Sequence, residues 1–167
     1  MATSRAKLDG DFKAFLESLN SAKIRYLVLG GYAVNYYGYH RSTDDLDVWV
    51  AVDSENAHRL SNVLQSFGGF RASEVPSSMF IERGKIFMFG RVPWRVDVLT
   101  GSSGIEFEQC YSRRVTATLD GVTIPVLALE DLRANKLASG RNKDLADLDN
   151  LPKQWPEKSK APTKRKR

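Results

Sequence analysis

Phe12, Phe15, Leu16 and Leu19 recur at i, i+3, i+4 and i+7, one face of an α-helix, and predict an amphipathic helix ending near Asn20. The pattern then changes to that of a sheet. Arg25–Gly30 is a short apolar run rich in β-favouring residues and reads as a strand, and Gly30-Gly31 separates it from a helix over Tyr32–Tyr37 that Gly38 closes. Asp45–Val50 alternates strictly, a second strand with Leu46, Val48 and Val50 on one face. Ser54–Phe67 carries Ala57, Leu60, Val63 and Leu64 at helical spacing behind a Ser cap, and Gly68-Gly69 stops it. Three further runs, Met79–Glu82, Ile86–Phe89 and Trp94–Leu99, read as strands, and Glu106–Arg113 as a short helix. Val115–Leu119 and Val122–Val126 flank Asp120-Gly121, a hairpin signal. Leu129–Ser139 and Asn142–Leu151 read as two helices divided by Gly140, with Leu145, Leu148 and Leu151 of the second turned to the core. Strands mixed with helices and a late hairpin predict an α/β (α+β) fold: a mixed β-sheet with helices packed mainly on one side. No internal repeat is present.

Composition agrees with one globular domain. The chain has 167 residues, of which 42% are apolar and 27% charged, which excludes collagenous, low-complexity and membrane-embedded classes. A net charge of +5 suggests a nucleic-acid binder until it is divided along the chain. Residues 153–167 hold seven Lys and Arg against Glu157, so residues 1–152 are near neutral. With Pro152, Pro156, Pro162 and the Lys164–Arg167 run, residues 152–167 are expected to be a disordered basic tail following a domain over 1–151. The single cysteine, Cys110, makes no internal disulfide and has no catalytic partner nearby in sequence, so it reads as structural and the setting as a reducing cytoplasm. The N-terminus lacks an apolar signal core, and no run approaches the roughly 20 residues of a membrane span. A soluble protein with no membrane partner is expected.

The chemistry concentrates between Leu29 and Asp47. Strand, Gly-Gly, helix allows backbone amides to approach a phosphate closely, and serves equally as a turn device. The stretch is neither a Walker loop nor a three-glycine dinucleotide motif. Asp45 and Asp47 lie two apart on a strand, so both carboxylates leave the same face about 7 Å apart at Cα and can converge on a hard divalent cation. Asp44 falls on the opposite face. Asp97, between Val96 and Val98 in a strand-like run, needs a metal or hydrogen-bonding partner to be accommodated there. His40 and His58 are isolated and lack a second nitrogen ligand at metal spacing, and Tyr32, Tyr36, Tyr37 and Tyr39 read mostly as packing residues.

Gly30-Gly31, Arg41-Ser-Thr43, Asp45-X-Asp47 and the later strand aspartate Asp97 together resemble the nucleotidyltransferase superfamily related to DNA polymerase β. The stretch from Leu129 through Lys136, Arg141 and Lys143 to Asp147 resembles the end of its AbiEii-type branch, known for toxin nucleotidyltransferases of toxin–antitoxin and phage-defence systems. The resemblance covers about residues 24–151. It departs from the family where Gly31 replaces a frequent serine and where the C-terminal helical domain of the larger toxins is missing. It implies a polymerase β-like fold and transfer of a nucleoside monophosphate from an NTP, ATP among them, to a hydroxyl with loss of pyrophosphate. Asp45, Asp47 and Asp97 would bind Mg²⁺, or Mn²⁺, with Asp97 also the general base, as in two-metal chemistry.

Gly30, Gly31, Arg41, Thr43, Lys136, Arg141 and Lys143 would bind the nucleotide. The bare sequence leaves alternatives open: Arg41 and Thr43 as loop residues capping the strand, Arg141 and Lys143 as surface cations paired with Asp144 and Asp147. The toxin branch implies RNA, particularly the tRNA 3′ end, as acceptor and an antitoxin as protein partner, with the basic tail holding the polyanion. Small lincosamide and aminoglycoside nucleotidyltransferases share similar stretches, so an antibiotic acceptor is the second expectation. A non-catalytic nucleotide- or partner-binding module, such as a degenerate antitoxin, is the third.

Overall fold

The central strand of the sheet, β1 (Tyr26–Leu29), is buried at all four positions, as its unbroken apolar run requires of a strand covered on both faces. The computed structural model describes residues 10–155. Within them six strands form one mixed sheet in the order β3-β4-β2-β1-β6-β5. The others are β2 (Asp45–Val50), β3 (Ile86–Phe89), β4 (Arg95–Leu99), β5 (Val115–Leu119) and β6 (Val122–Val126). The chain is thus a mixed α/β protein, as its periodicities predict.

Two helices fill the apolar face. Phe12, Phe15, Leu16 and Leu19 of α1 (Gly10–Ser21) are buried, and the Phe15 ring packs on Phe67 of α3 (Ser54–Gly68) and on Phe89 of β3. Phe89 pairs with Val96 and Leu46 with Val96 in register, so Leu46, Val48, Val96 and Val98 share this covered face. On the opposite face Trp49 packs edge-on against Phe107 of α4 (Phe107–Ser112), with ring centroids 5.2 Å apart. The remaining helices are α2 (Gly30–Tyr36), α5 (Leu129–Ser139) and α6 (Asn142–Asn150).

Two sequence expectations are corrected. Met79–Glu82 is not a strand: Ser77–Phe80 forms a 3-10 turn behind Pro76, which buries Phe80 against Phe87 while Met79 and Ile81 stay exposed. A strand would have put Met79 and Ile81 on one face and Phe80 on the other, but only Phe80 has a core to enter. Nor do Leu145 and Leu148 of α6 turn inward, although Leu151, its C-cap, is buried as expected. Leu145 is exposed and Leu148 half-buried, and the buried positions are Asp144 and Asp147, one helical turn apart. Burying acids is tolerated because three cations meet them, as described below.

Gly140 ends α5 in the left-handed conformation, so Lys136 and Lys143 do not share one continuous helix. Tyr37 is buried, with Tyr32, Tyr36 and Tyr39 packed at the core margin; His40 and His58 are exposed. Cys110 is fully buried, and burial pushes its thiol up to about 11, an inert structural cysteine. The expected tail lies outside the described residues from 156 onward; before it, Trp155 packs on Tyr36 and Tyr37. Among the described residues no helix is long and apolar enough to cross a membrane.

Candidate active site

Strand register brings the three candidate carboxylates together. β2 and β4 run parallel with Asp45 opposite Arg95 and Asp47 opposite Asp97, so Asp45, Asp47 and Asp97 leave one face from neighbouring strands. One oxygen from each lies within 4.8 Å of the others. Asp47 is the most perturbed of them. Burial, then the neighbouring charges of Asp45 and Asp97, raise its carboxyl to about 7 against the opposing pull of Lys136 and Lys143.

Gly30 opens α2 at φ +69°, beside the same carboxylates. A Cβ there would collide with the Asp47 carboxylate, and one on Gly31 would collide with the Thr43 hydroxyl. That hydroxyl donates to the Asp45 carbonyl at 3.1 Å, bracing the start of β2. Gly30→Ala is therefore expected to displace Asp47 and lose at least about a hundredfold in any activity that needs the triad. Measured turnover near wild type would contradict this.

The predicted cations form a second cluster. Lys136 is almost fully buried, and its ammonium lies 2.9 Å from Asp147 and 3.3 Å from Asp144. Arg41 grips Asp147 with two hydrogen bonds of 2.7 and 2.9 Å, and Arg141 grips Asp144 with two of 2.7 and 3.2 Å. Three cations thus share two carboxylates, which leaves excess positive charge on the triad's side. Arg41, Lys136, Arg141 and Lys143 all line one open cavity of about 1050 Å³ together with Gly30, Gly31 and the three aspartates. Thr43 does not line it.

Residues 6–152 match the family described as "Nucleotidyltransferase of unknown function (DUF6036)". The chain belongs to this family. No curated protein sequence matches the chain. Among solved structures, it is similar to a Thermotoga maritima protein assigned as a nucleotidyltransferase, at 17% identity and TM-score 0.55, covering 83% of this chain and 88% of that one. It is also similar to the lincosamide antibiotic adenylyltransferase LnuA bound to lincomycin, at 14% identity and TM-score 0.52, covering 87% and 96%. At these identities the likeness establishes the nucleotidyltransferase fold.

The donor set of this chain fits a hard divalent cation: three carboxylates converge, and Asp47 resists ionisation without added positive charge. Arg95 is the residue that sequence reasoning missed. Its guanidinium reaches Asp45 at 2.6 Å and both oxygens of Asp97 at 2.9 and 3.2 Å. Its position two before Asp97 puts it on the same strand face, a signal visible in Trp94-Arg-Val-Asp97; which strand would face it was not. Because Arg95 already neutralises two of the three acids, Arg95→Gln is expected to strengthen Mn²⁺ binding about tenfold in a calorimetric titration, whereas unchanged or weaker binding would make Arg95 an organiser of the ligands.

Proposed function

We propose that the protein transfers a nucleoside monophosphate from an NTP to a hydroxyl acceptor, with pyrophosphate leaving. The observation that carries this reading is the convergence of Asp45, Asp47 and Asp97 beside the Gly30-Gly31 turn in one cavity. Asp45 and Asp47 would hold Mg²⁺ or Mn²⁺ with Asp97, and the metal's chemistry is to neutralise the triphosphate and polarise the reacting oxygens. The chain's own residues do the rest. Gly30 and Gly31 let the phosphates lie close to the backbone, Lys136 and Lys143 bias that end toward anions, and Arg41 and Arg141 hold Asp147 and Asp144 so that Lys136 stays in place. Asp97 accepts the acceptor hydroxyl's proton.

For the acceptor we favour RNA, the tRNA 3′ end in particular, from the resemblance to the AbiEii-type toxins; a toxin role restrained by an antitoxin in the cytoplasm belongs to the same reading. A lincosamide or aminoglycoside acceptor is the second reading, supported by the fold shared with LnuA. Retention of all three carboxylates counts against a degenerate, non-catalytic module. The test is incubation with Mg²⁺, each α-labelled NTP and, separately, total tRNA, lincomycin and kanamycin. Label moving to tRNA supports the first reading and label moving to an antibiotic the second. No transfer to any acceptor, or transfer that survives Asp45→Ala, overturns the enzymatic proposal.

A further inference from the structure

In-line displacement puts the entering oxygen and the departing pyrophosphate on opposite sides of the phosphorus. If the proposed function holds, the sheet fixes which side is which. Gly30, at the end of β1, with the Lys136 cluster marks the pyrophosphate end, and the strand order β1-β2-β4-β3 then runs through the acids to the opposite edge. Strands are spaced about 4.8 Å, so the edge strand β3 lies about 10 Å beyond β2, on the side from which the hydroxyl must arrive.

That edge carries an unusual surface. Met88 pairs with Asp97 and Ile86 with Leu99, so both side chains share the carboxylates' face, and each is 59% exposed. Phe87 and Phe89 turn to the core instead. The turn that leads into Arg95 adds exposed Val92 and Trp94, at 58% and 49%. From 83 to 95 the chain holds Arg83, Lys85 and Arg91, all exposed; Arg83 and Lys85 make surface ion pairs with Glu106 and Glu82, while Arg95 is taken up by Asp45 and Asp97. Apolar and aromatic groups interleaved with cations are the recognition surface of single-stranded nucleic acid, bases lying on the former and phosphates on the latter. A small neutral acceptor would use the apolar strip alone, whereas the exposed Arg83, Lys85 and Arg91 beside it suit an acceptor that also carries phosphates.

We propose that β3 and the turn 90–94 form the acceptor platform, on which the single-stranded 3′ end of an RNA lies with its terminal nucleoside over Met88 and Ile86. The terminal hydroxyl then reaches Asp97 from the β3 side. Its oxygen bonds to the α-phosphorus, the α–β phosphoanhydride bond breaks, pyrophosphate leaves with the electron pair, and the proton passes to the Asp97 carboxylate.

The test requires no turnover. In the full-length chain Met88→Cys adds an exposed thiol, the native Cys110 being buried, and Ser66→Cys on the exposed side of α3 serves as control. Alkylation by iodoacetamide is followed with and without total tRNA or lincomycin. We expect tRNA to slow alkylation at position 88 at least tenfold, to leave position 66 unchanged, and lincomycin to have no effect. Equal protection at both positions, no protection by tRNA, or protection by lincomycin alone overturns the platform. So does alkylation at 88 that is slow without RNA and quickens on dilution, which would make β3 a self-association edge. As a second variant, Met88→Glu should raise KM for tRNA at least tenfold with KM for the NTP unchanged; an unchanged KM for tRNA likewise overturns the proposal. Protection without label transfer would leave the platform standing and remove the enzymatic reading, and transfer without protection the reverse.

Discussion

Asp47→Asn is expected to lower nucleotide transfer by at least about a thousandfold, about 4 kcal/mol of transition-state stabilisation, while raising the stability of the metal-free protein. Both effects have one source. Asp47 sits between Leu29 of β1 and Asp97 of β4 in register, half-buried and within reach of two other carboxylates. Its carboxyl is raised to about 7, so the folded protein binds a proton there more tightly than the unfolded chain does. The sign follows: without metal, stability falls as pH rises from about 4 to about 7, because ionisation is easier in the unfolded state. Asparagine removes that penalty, and a gain of about 2 kcal/mol is expected at neutral pH, with a flatter pH profile of the melting temperature. Bound Mg²⁺ or Mn²⁺ should reverse the pH trend in the wild type, since the cation binds the ionised form. Loss of activity without any gain in metal-free stability would mean that the fold does not hold the acids in mutual repulsion.

Lys136→Met is expected to be the most destabilising single change at the site, at about 3 kcal/mol and a melting temperature lower by about 10 °C in a thermal scan. The side chain is of similar length, so packing is largely kept; what is lost is the charge between two buried carboxylates. Asp144 and Asp147 are only 1% and 2% exposed at the side chain. Burial acts to raise both. It is outweighed by Arg141 and Lys136 at Asp144, and by Arg41 and Lys136 at Asp147, so both are held below the usual carboxylate range. Their contribution to stability is therefore complete above about pH 4 and is lost as pH falls through the folded-state values. In Lys136→Met the acid transition should begin at higher pH. Because Arg41 and Arg141 keep one partner each, the double variant Lys136→Met, Asp147→Asn should cost less than the two single changes added together. Strict additivity would show that the five groups do not act as one network.

Most elements, and the three aspartates as candidates for one cluster, were legible in residue spacing. Reading Asp45–Val50 and Trp94–Leu99 as strands decides which side chains share a face, because the period of a strand is two and depends on no neighbour. The sequence likewise marked Gly30-Gly31 as the break between strand and helix. Which strands are neighbours depends on contacts between segments far apart in the chain. Parallel pairing of β2 with β4 at one register turns two acids on one strand and one on another into a cluster, and makes Arg95 the counter-ion of Asp45 and Asp97. A slip of one residue would have sent Asp97 to the apolar face. The orientation of α6 was equally out of reach of periodicity. Leu145, Leu148 and Leu151 supply an apolar spacing, yet of the three only Leu151 is buried, and Asp144 and Asp147 face inward, since the ion pairs to Lys136, Arg41 and Arg141 come from α5, from the loop before β2 and from the helix's own cap. Local pattern assigns a residue to a face of its own element; whether that face meets oil, water or an opposite charge depends on partners distant in sequence, and that is what the fold supplies.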